Sequence, residues 1–494
     1  MKKTLLAILC IFHVSLYCLY GQTTYFNKDY SFAPELSLGT CVYPQTNSYF
    51  VISNNYYNNK WHFLVSSTNL EGDTSYIKKY KHPFYTWGIA TKSITKTKDG
   101  NFVACGLICL DTINNSCDSA RVLLVKLNDL CDTLWTKQYM SYPNKRSGGI
   151  SIYQEADSGF VIIGYTNKLP NKGYDIFLLR TDSLGNVLWE KNYGSGSDES
   201  CYSIVKAPDG GYLIGGDTWG YGSGMSDILV IKVDSLGNFQ WQKTFGYTKK
   251  DGGGYLTTLP QGGYLLSGGV TPNNMVWPNG YVARLDDSGN KIWEKDFGNI
   301  NNNTLGIAPI LSSNNTFIVV GAYRDTINVN AVNAWFVKFD LNGNLLWERL
   351  YNKYGGNNQN YIEDAKPTPD GGYIACGWVT ILPAQGQNLW LLKLDSMGCD
   401  IANCSVGMEE EMPNEFVFTL YPNPAQDVLH IETTYNKEQT ILYIYDITGK
   451  EIRQTSIESN YQQVDISTLP PGIYLCRLLQ NGNILARDKL IKLQ

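Results

Sequence analysis

The sequence predicts an all-β protein, a seven-bladed β-propeller followed by a small immunoglobulin-like β-sandwich. Two observations predict it: a four-strand unit recurs about every 52 residues, and a different pattern of short strands fills roughly the last 80 residues. Charged residues are only 17% of the 494, while Gly (47) and Tyr (35) are abundant. That composition is typical of turns and strands and excludes a coiled coil or a charged disordered chain. The net charge of −5, with no long basic run, argues against a nucleic-acid partner.

The first element is a predicted secretory signal peptide, residues 1–21. Lys2 and Lys3 give a positive start, and the apolar stretch over 4–20 is too short for a typical membrane-spanning helix. We expect cleavage after Gly21. A lipoprotein signal through Cys18 is the weaker alternative, because the large residue Tyr17 precedes that cysteine. No later apolar stretch is long enough to span a bilayer, so no transmembrane segment is expected in the mature protein.

Ten of the twelve cysteines follow the signal, and export permits disulfides. Cys117 and Cys131, which flank one predicted strand, form one candidate pair. Cys399 and Cys404, in one short loop, form the other. No CxxC pair exists and only three histidines follow the signal, so no metal site is predicted.

A recurring hairpin predicts the propeller over residues 22–402. The best copies run over 180–193 and 232–245, and each has an Asp-Ser-Leu-Gly-Asn turn before a Trp. From Trp135 onward the Trp positions are spaced by 54, 52, 52 and 54 residues. The aromatic positions of the seven hairpins are Phe26, Tyr76, Trp135, Trp189, Trp241, Trp293 and Trp347. Asp234 and Gly237 exemplify the turn, where a type I turn is followed by a left-handed residue that Gly adopts at low cost.

A second signal lies upstream of the hairpins, as in Pro-Asp-Gly-Gly-Tyr at 208–212 and 369–373. These turns lead into buried strands, so each unit is predicted to contain four strands, as a propeller blade does. The last unit lacks its fourth strand, whereas residues 26–30 have the hairpin spacing but no preceding strands. We therefore predict that the N-terminal strand completes the seventh blade and closes the ring.

The run formed by Asp234, Gly237 and Trp241 resembles the tryptophan-docking repeat of quinoprotein-like or WD-like propellers, with one residue fewer between Asp and Gly. The resemblance implies a fold and no cofactor. The repeated Trp residues are interpreted as packing between blades. The turn carboxylates are expected to accept bonds from their own turn amides; they belong to Asp182, Asp234, Asp286, Asp340 and Asp395.

Function in a propeller is expected in the loops at one face. Here these loops carry aromatic and polar side chains that could stack on sugar rings and bond hydroxyl groups. The candidate ligand-binding residues are Trp87, Trp219, Tyr221, Trp277, Tyr323 and Arg324. The sequence therefore favours a noncatalytic binding module for a glycan or a protein. The structural alternative is that these aromatics cover the ends of the blades.

The enzyme alternative is a propeller glycoside hydrolase or polysaccharide lyase that uses loop carboxylates. Asp198 and Glu199 lie in one blade link and Asp251 in the next, so paired-carboxylate chemistry is the reaction to test. No residue is predicted as catalytic under the binding hypothesis, because residues adjacent in sequence say little about the separation of their carboxyl groups in space.

A linker is predicted over 403–415, and short strands separated by turn residues follow over 416–494, which indicates a β-sandwich. Its motif residues are Pro422, Asn423, Pro424, Asp427, Asp446, Gly449, Lys450, Gly472, Tyr474, Lys489 and Lys492. In this order at the C-terminus they resemble the type A sorting domain of the type IX secretion system. An ordinary immunoglobulin-like accessory domain is the alternative.

The resemblance implies partners and a location. It implies Sec export, recognition by the type IX outer-membrane secretion machinery, and removal of the domain by its sortase. The cargo is then attached to surface lipopolysaccharide or released. The expected location is therefore the outer cell surface or the medium.

Overall fold

The structure is a computed structural model and describes residues 25–493 with internal gaps. The gaps are 33–34, 82–85, 111–116, 118, 141–144, 168–172, 274, 276–277, 299–302, 313–314, 325–330, 356, 382–385, 402–417, 434–439, 447–450 and 481–482. The predicted signal peptide and linker lie outside the described residues. The chain divides into two compact units, residues 1–404 and 405–494.

The first unit consists of seven four-stranded antiparallel blades, which confirms the predicted propeller. The N-terminal strand β1 spans Phe26–Tyr30. Blade 1 contains β2 (Leu36–Pro44), β3 (Tyr49–Tyr57), β4 (Lys60–Thr68) and β5 (Thr74–Tyr80). Blade 2 contains β6 (Thr86–Lys96), β7 (Phe102–Cys109), β8 (Ala120–Leu127) and β9 (Thr133–Tyr139). Blade 3 contains β10 (Ser147–Gln154), β11 (Phe160–Thr166), β12 (Asp175–Thr181) and β13 (Val187–Tyr193). Blade 4 contains β14 (Glu199–Lys206), β15 (Tyr212–Thr218), β16 (Asp227–Val233) and β17 (Phe239–Phe245).

The remaining blades continue the same order. Blade 5 contains β18 (Gly252–Thr258), β19 (Tyr264–Val270), β20 (Asn279–Leu285) and β21 (Lys291–Phe297). Blade 6 contains β22 (Asn303–Ser312), β23 (Thr316–Arg324), β24 (Val332–Asp340) and β25 (Leu345–Tyr351). Blade 7 contains β26 (Gln359–Pro367), β27 (Tyr373–Ile381) and β28 (Gly386–Leu394). In each blade the second and third strands are almost fully buried, because neighbouring blades cover both of their faces.

The N-terminal strand closes the ring as predicted. Strand β1 pairs antiparallel with β28, in a register that runs from Phe26 opposite Lys393 to Tyr30 opposite Leu389. Closure satisfies an edge of the last blade that would otherwise present unpaired backbone groups.

Each fourth-strand aromatic packs on the turn of the following blade. A Cβ atom added at Gly289 would lie 2.3 Å from Cη2 of Trp241, and one at Gly237 would lie 2.7 Å from Cζ3 of Trp189. The ring closes with the same contact, because Phe26 packs against Gly72. The repeated aromatics are therefore packing residues between blades, and the turn glycines leave the space that they occupy.

A tyrosine four residues after the aromatic adds a hydrogen bond to this contact. The Tyr193 hydroxyl donates to the carbonyl of Gly237 at 2.6 Å, and the Tyr139 hydroxyl donates to the carbonyl of Gly185 at 2.8 Å. Tyr30 makes the equivalent bond to Gly72 across the closure. Tyr80 and Tyr351 make the same bond, whereas blades 4 and 5 have Phe245 and Phe297 at this position and keep only the apolar contact.

The turn carboxylates accept bonds from their own turns, as predicted. Oδ1 of Asp234 accepts from the amides of Leu236 at 2.9 Å and Asn238 at 2.8 Å, and its Oδ2 accepts from the Asn238 side chain at 2.9 Å. Asp182, Asp286 and Asp340 make the same three bonds. These bonds lower the pKa of Asp234 below its usual 3.8.

We predict that the turns become less stable in acid. The pKa values of the four turn carboxyls, those of Asp182, Asp234, Asp286 and Asp340, are lowered in the folded state. Their stabilisation is therefore present above the unfolded value of 3.8 and is lost as the pH falls through the folded values. Thermal unfolding measured from pH 6 down to about pH 2 should show this loss. A variant with all four replaced by Asn should show a shallower decline, and an unchanged profile would contradict the assignment.

The predicted Cys117–Cys131 disulfide is wrong. Cys117 pairs with Cys109, at a Cα–Cα distance of 5.5 Å. Cys131 is a buried free thiol with φ of 60°, and it occupies the glycine position of the blade 2 turn. Cysteines that flank a strand lie at its opposite ends, roughly 20 Å apart for β8, far beyond the span of a disulfide. Cys399 is disulfide-bonded, but Cys404 lies outside the described residues.

The second unit is a two-sheet sandwich, as predicted. One sheet has the order β29-β30-β33 and the other β32-β31-β34-β35. The strands are β29 (Phe418–Tyr421), β30 (Val428–Thr433), β31 (Thr440–Asp446), β32 (Glu451–Ile457), β33 (Tyr461–Asp465), β34 (Gly472–Gln480) and β35 (Asn483–Lys492). Alternate residues such as Leu429, Ile431, Leu442 and Ile444 form its buried core.

Candidate functional site

A cavity of about 1200 Å³ opens at one end of the propeller channel. It lies where the first strand of each blade begins and the second strand ends, so the blade links and the loops between second and third strands surround it. Residues of blades 1, 2, 3, 4, 5 and 7 line it. This is the face on which the sequence predicted a ligand site.

Three pairs of aromatic rings line the cavity. Tyr56 and Trp61, in blade 1, have ring centroids 5.1 Å apart. Tyr165 and Tyr174, in blade 3, meet edge to face at 5.5 Å. Tyr202 of blade 4 and Tyr255 of blade 5 are separated by 5.2 Å and join neighbouring inner strands. Paired rings of this kind offer broad, rigid apolar surfaces with polar hydroxyl groups at their edges.

Trp219 is the sequence-predicted ligand residue that lines this cavity. Its side chain is 44% exposed, which is unusual for Trp, and its amide donates to the carbonyl of Asp198 at 3.0 Å. Asn54, Arg146 and Gln387 add polar groups to the wall. The wall therefore combines an exposed indole with hydrogen-bonding side chains, a combination typical of ligand sites.

The hydroxyl of Tyr202 is held by a buried acid. It donates to Oδ2 of Asp217 at 2.8 Å, and Asp217 is almost fully buried at the end of β15. Burial raises the pKa of Asp217 above its ordinary value, and the Tyr202 bond opposes that shift. This contact fixes the orientation of the Tyr202 ring in the cavity wall.

The paired carboxylates of the enzyme alternative reach the same cavity, but both are engaged. Glu199 is 1% exposed, and its carboxylate accepts bonds from the Ser195 amide at 3.0 Å, the Ser195 hydroxyl and the Thr218 hydroxyl at 3.0 Å. Oδ1 of Asp198 accepts from the Tyr174 amide at 2.8 Å. Asp198 therefore positions one of the cavity tyrosines.

Asp251 occupies in blade 5 the position that Glu199 occupies in blade 4. It is 2% exposed and accepts bonds from the amides of Tyr247 and Thr271, the latter at 2.6 Å. Burial raises its pKa. It does not line the cavity. Each of the two equivalent acids thus accepts a bond from the amide of the residue four positions earlier, Ser195 for Glu199 and Tyr247 for Asp251, and so fixes its blade link.

Three other predicted ligand residues, Tyr221, Tyr323 and Arg324, are described and do not line the cavity. The Tyr221 hydroxyl donates to the carbonyl of Gly194 at 3.2 Å. Tyr323 packs 6.3 Å from Trp335, and Arg324 donates to the Tyr361 hydroxyl at 3.3 Å. The backbone of Trp87 lies in β6, but its side chain and all of Trp277 lie outside the description.

Sequence reasoning missed the paired tyrosines and Trp61. It searched loops between strands, whereas Tyr56 and Tyr165 lie near the ends of strands and Tyr202 is the bulged residue within β14. The available signal was the position of Tyr56 and Tyr165 near the ends of second strands. Second strands end at the same face of the propeller where first and third strands begin. Only the blade register shows which of them face the channel.

The sorting motif is assembled from distant parts of the second unit. Oδ1 of Asn423 accepts from the Ile491 amide at 2.9 Å, and its side-chain amide donates to the Lys489 carbonyl. The Ala425 amide donates to the Ile491 carbonyl at 2.8 Å. The Pro-Asn-Pro segment is therefore fixed against the C-terminal strand β35.

The other motif residues support the same strand. Nζ of Lys492 lies 3.8 Å from Oδ1 of Asp427 and donates to the Leu493 carbonyl at 2.9 Å. The Tyr474 hydroxyl donates to the Pro470 carbonyl at 2.7 Å, and Asp446 pairs with Tyr474 in the sheet. Gly472 begins β34. Gly449 and Lys450 lie outside the described residues.

The family model for the secretion system C-terminal sorting domain matches residues 419–493. The C-terminal unit is a sorting domain. It directs export through the type IX system to the cell surface or the extracellular space, so the predicted location and the secretion machinery as partner are confirmed. No curated protein matches the sequence. Within the described part of the sequence, no helix has the length and apolar character needed to cross a membrane.

Three of the solved structures that are similar to this chain have low sequence identity to it. One is the polysaccharide lyase Uly1, with 11% identity, a TM-score of 0.47, and coverage of 76% of this chain and 93% of that chain. Another is the β-propeller domain of the Trilobed protease from Pyrococcus furiosus, with 10% identity, a TM-score of 0.43, and coverage of 73% and 94%. A third is the WD40 domain of Neurospora crassa Pan2, with 11% identity, a TM-score of 0.42, and coverage of 72% and 89%. These similarities concern fold and carry no argument about function.

Proposed function

We propose that the mature protein is a noncatalytic binding module that holds a glycan or a protein segment in the aromatic cavity of its propeller. The observation that supports the proposal most directly is the concentration of seven Trp and Tyr residues around one cavity of about 1200 Å³. Aromatic faces bind sugar rings and extended peptide segments by stacking and apolar contact. The sorting domain carries this module out of the cell.

The bonding of the acids favours binding over hydrolysis. Two-carboxylate hydrolysis needs one acid and one base on opposite sides of the substrate, roughly 5 to 9.5 Å apart. Glu199 is buried and bonded to Ser195 in the blade link and to Thr218 at the end of β15, and Asp251 does not line the cavity. Asp198 therefore has no carboxylate partner across the cavity among the described residues.

We further propose that the type IX sortase removes the sorting domain and that the cargo is attached to lipopolysaccharide or released. The position of the domain after an acidic segment, residues 405–414, supports a cleavable connection. Mass spectrometry of the protein taken from the cell surface and from the medium would separate attachment from release. Recovery of the full-length chain with residues 416–494 intact would contradict cleavage.

Ligand binding is testable by screening the mature protein on glycan and peptide arrays. We expect Trp219→Ala and Trp61→Ala each to weaken the binding of any hit about 10-fold, equal to about 1.4 kcal/mol. Phe239→Ala is the matched control, because Phe239 is 55% exposed on the outer strand of the same blade as Trp219. Unchanged affinity in both Trp variants would contradict the site. Product formation that is lost in Asp198→Asn would support the hydrolase or lyase alternative instead.

A further inference from the structure

The inner strands of six blades share an irregularity, and the inner strand of blade 2 has a larger one. In the six other blades, one residue bulges out of the pairing between the first and second strands, for example between Cys201 and Ser203. In blade 2 the pairing breaks between Ile89 and Ile94, so four residues lie opposite Cys105. Irregularities of this kind concentrate at functional sites, where they redirect a side chain.

The enlarged bulge places Lys92 in the central channel. Its backbone has φ of 57°, a left-handed conformation that is costly for a residue other than Gly. Its Nζ atom is buried and has no hydrogen-bond partner among the described residues. The nitrogen lies 4.2 Å from the ring centroid of Tyr255, which belongs to blade 5. Lys92 therefore reaches across the channel toward an aromatic face.

The surroundings of Lys92 form a second cavity of about 350 Å³ that includes Tyr202 and Tyr255 in its wall. Lys366 of blade 7 lines the same cavity and pairs with Oδ1 of Asp364 at 2.6 Å. Glu363 accepts from Nε1 of Trp378 at 3.2 Å. The titratable groups that act on Lys92 are Asp364, Lys366, Glu363 and Cys376 around it and Tyr255 under it. Asp364 is thus bonded to Lys366 and Glu363 to Trp378, and within the part of the chain that the structure describes neither acid bonds to Lys92.

Burial in this channel favours the neutral amine. Desolvation lowers the pKa of Lys92 to about 7, and the nearby Asp364 only partly offsets it. About half of the amine is then neutral at pH 7, whereas a lysine of ordinary pKa, about 10.4, is almost entirely charged. A neutral lysine amine is a nucleophile toward carbonyl carbon. Lys366 provides the contrast, because its pairing with Asp364 raises its pKa.

We propose that Lys92 is a covalent capture site that binds a small aldehyde or ketone as an imine inside the propeller channel. The nitrogen lone pair forms a bond to the carbonyl carbon as the π bond of the carbonyl breaks, and one N–H proton moves to the oxygen to give a carbinolamine. The hydroxyl group then leaves with the second N–H proton as water, and the C=N bond forms. No oxidant or reductant is needed, and the reverse addition of water releases the ligand. This site adjoins the proposed ligand cavity, with which it shares Tyr202 and Tyr255, but the proposal does not depend on that cavity's function.

The test is site-resolved reductive trapping on the full mature protein. The protein is treated at pH 7 with a limiting amount of acetaldehyde and sodium cyanoborohydride, and its peptides are mapped by mass spectrometry. We expect alkylation at Lys92 at least about 10-fold faster than at exposed lysines, because of its larger neutral fraction. The ratio of the two rates should fall as the pH rises from 7 to about 10, where the exposed lysines become neutral as well.

Two comparisons keep the proposal falsifiable. Lys366 serves as an internal control in the same cavity and should remain unmodified, since it is charged and paired. The variant Lys92→Met should lose the fast modification while keeping the thermal unfolding profile. Modification of Lys92 no faster than of exposed lysines, or equal modification of Lys366, would overturn the proposal. If the variant does not fold, the relative modification of Lys92, Lys366 and the exposed lysines in the unaltered protein still tests the proposal.

Discussion

Replacing Gly289 by Ala is expected to destabilise the propeller by about 3 kcal/mol. Gly289 has φ of +72°, and a Cβ atom there would lie 2.3 Å from Cη2 of Trp241. The left-handed backbone costs a non-Gly residue about 1–2 kcal/mol, and the clash adds an overpacking cost of about 1–3 kcal/mol. The measurement is equilibrium unfolding in guanidinium chloride, in which the midpoint concentrations of variant and unaltered protein are compared at a common m-value.

Gly210→Ala is the matched control for this prediction. Gly210 also has a left-handed backbone, with φ of +84°, but nothing lies within 4 Å of an added Cβ. It should therefore lose only the backbone contribution, about 1–2 kcal/mol. Equal losses of unfolding free energy in the two variants would show that the contact between the added Cβ atom and Trp241 contributes nothing. A partial recovery in the double variant Gly289→Ala with Trp241→Phe would confirm that the excess comes from that contact.

Deletion of residues 405–494 is expected to abolish surface display and to leave the propeller in the periplasm. The reason is that the deleted unit contains the sorting domain matched over 419–493, while the propeller is a separate compact unit. Protease accessibility on intact cells, together with fractionation, measures the outcome. Display of the truncated chain at the normal level would contradict the role of the domain.

A point variant separates recognition from gross loss of the domain. Asn423→Ala removes the bonds to the Ile491 amide and the Lys489 carbonyl, so the Pro-Asn-Pro segment loses its attachment to β35. We expect reduced surface display from this variant. Val428→Thr is the control. Val428 is 40% exposed, and the substitution leaves every motif residue unchanged. Equal display in both variants would place the recognition surface away from the Pro-Asn-Pro segment.

The parts of the fold that depend on short-range contacts could be predicted. The turn of Asp234 is bonded within four residues, so its sequence pattern reports its geometry directly. The spacing of these turns then yields the number of blades, and the isolated segment at 26–30 indicates the closing strand. The sorting motif could be predicted for another reason: its contacts are long-range, but the order of its residues in the sequence resembles a known family.

The site could be predicted only in outline, because its residues meet through ring closure. Trp219 was found from its loop, but Tyr56, Tyr165 and Tyr255 face one cavity only because blades distant in sequence converge on one axis. The same convergence brings Lys92 of blade 2 over Tyr255 of blade 5. The Cys109–Cys117 bond likewise depends on which end of a strand each residue reaches.

By itself the sequence determined the all-β class, the seven repeats, their closure by the first strand and the export address, since each rests on a pattern local to one hairpin or one motif. The tertiary structure alone decided which aromatics form a binding cavity, that Glu199 and Asp251 hold blade links, and that Lys92 is unpaired among the described residues. These are properties of the channel, where burial and pairing depend on residues contributed by every side of the ring.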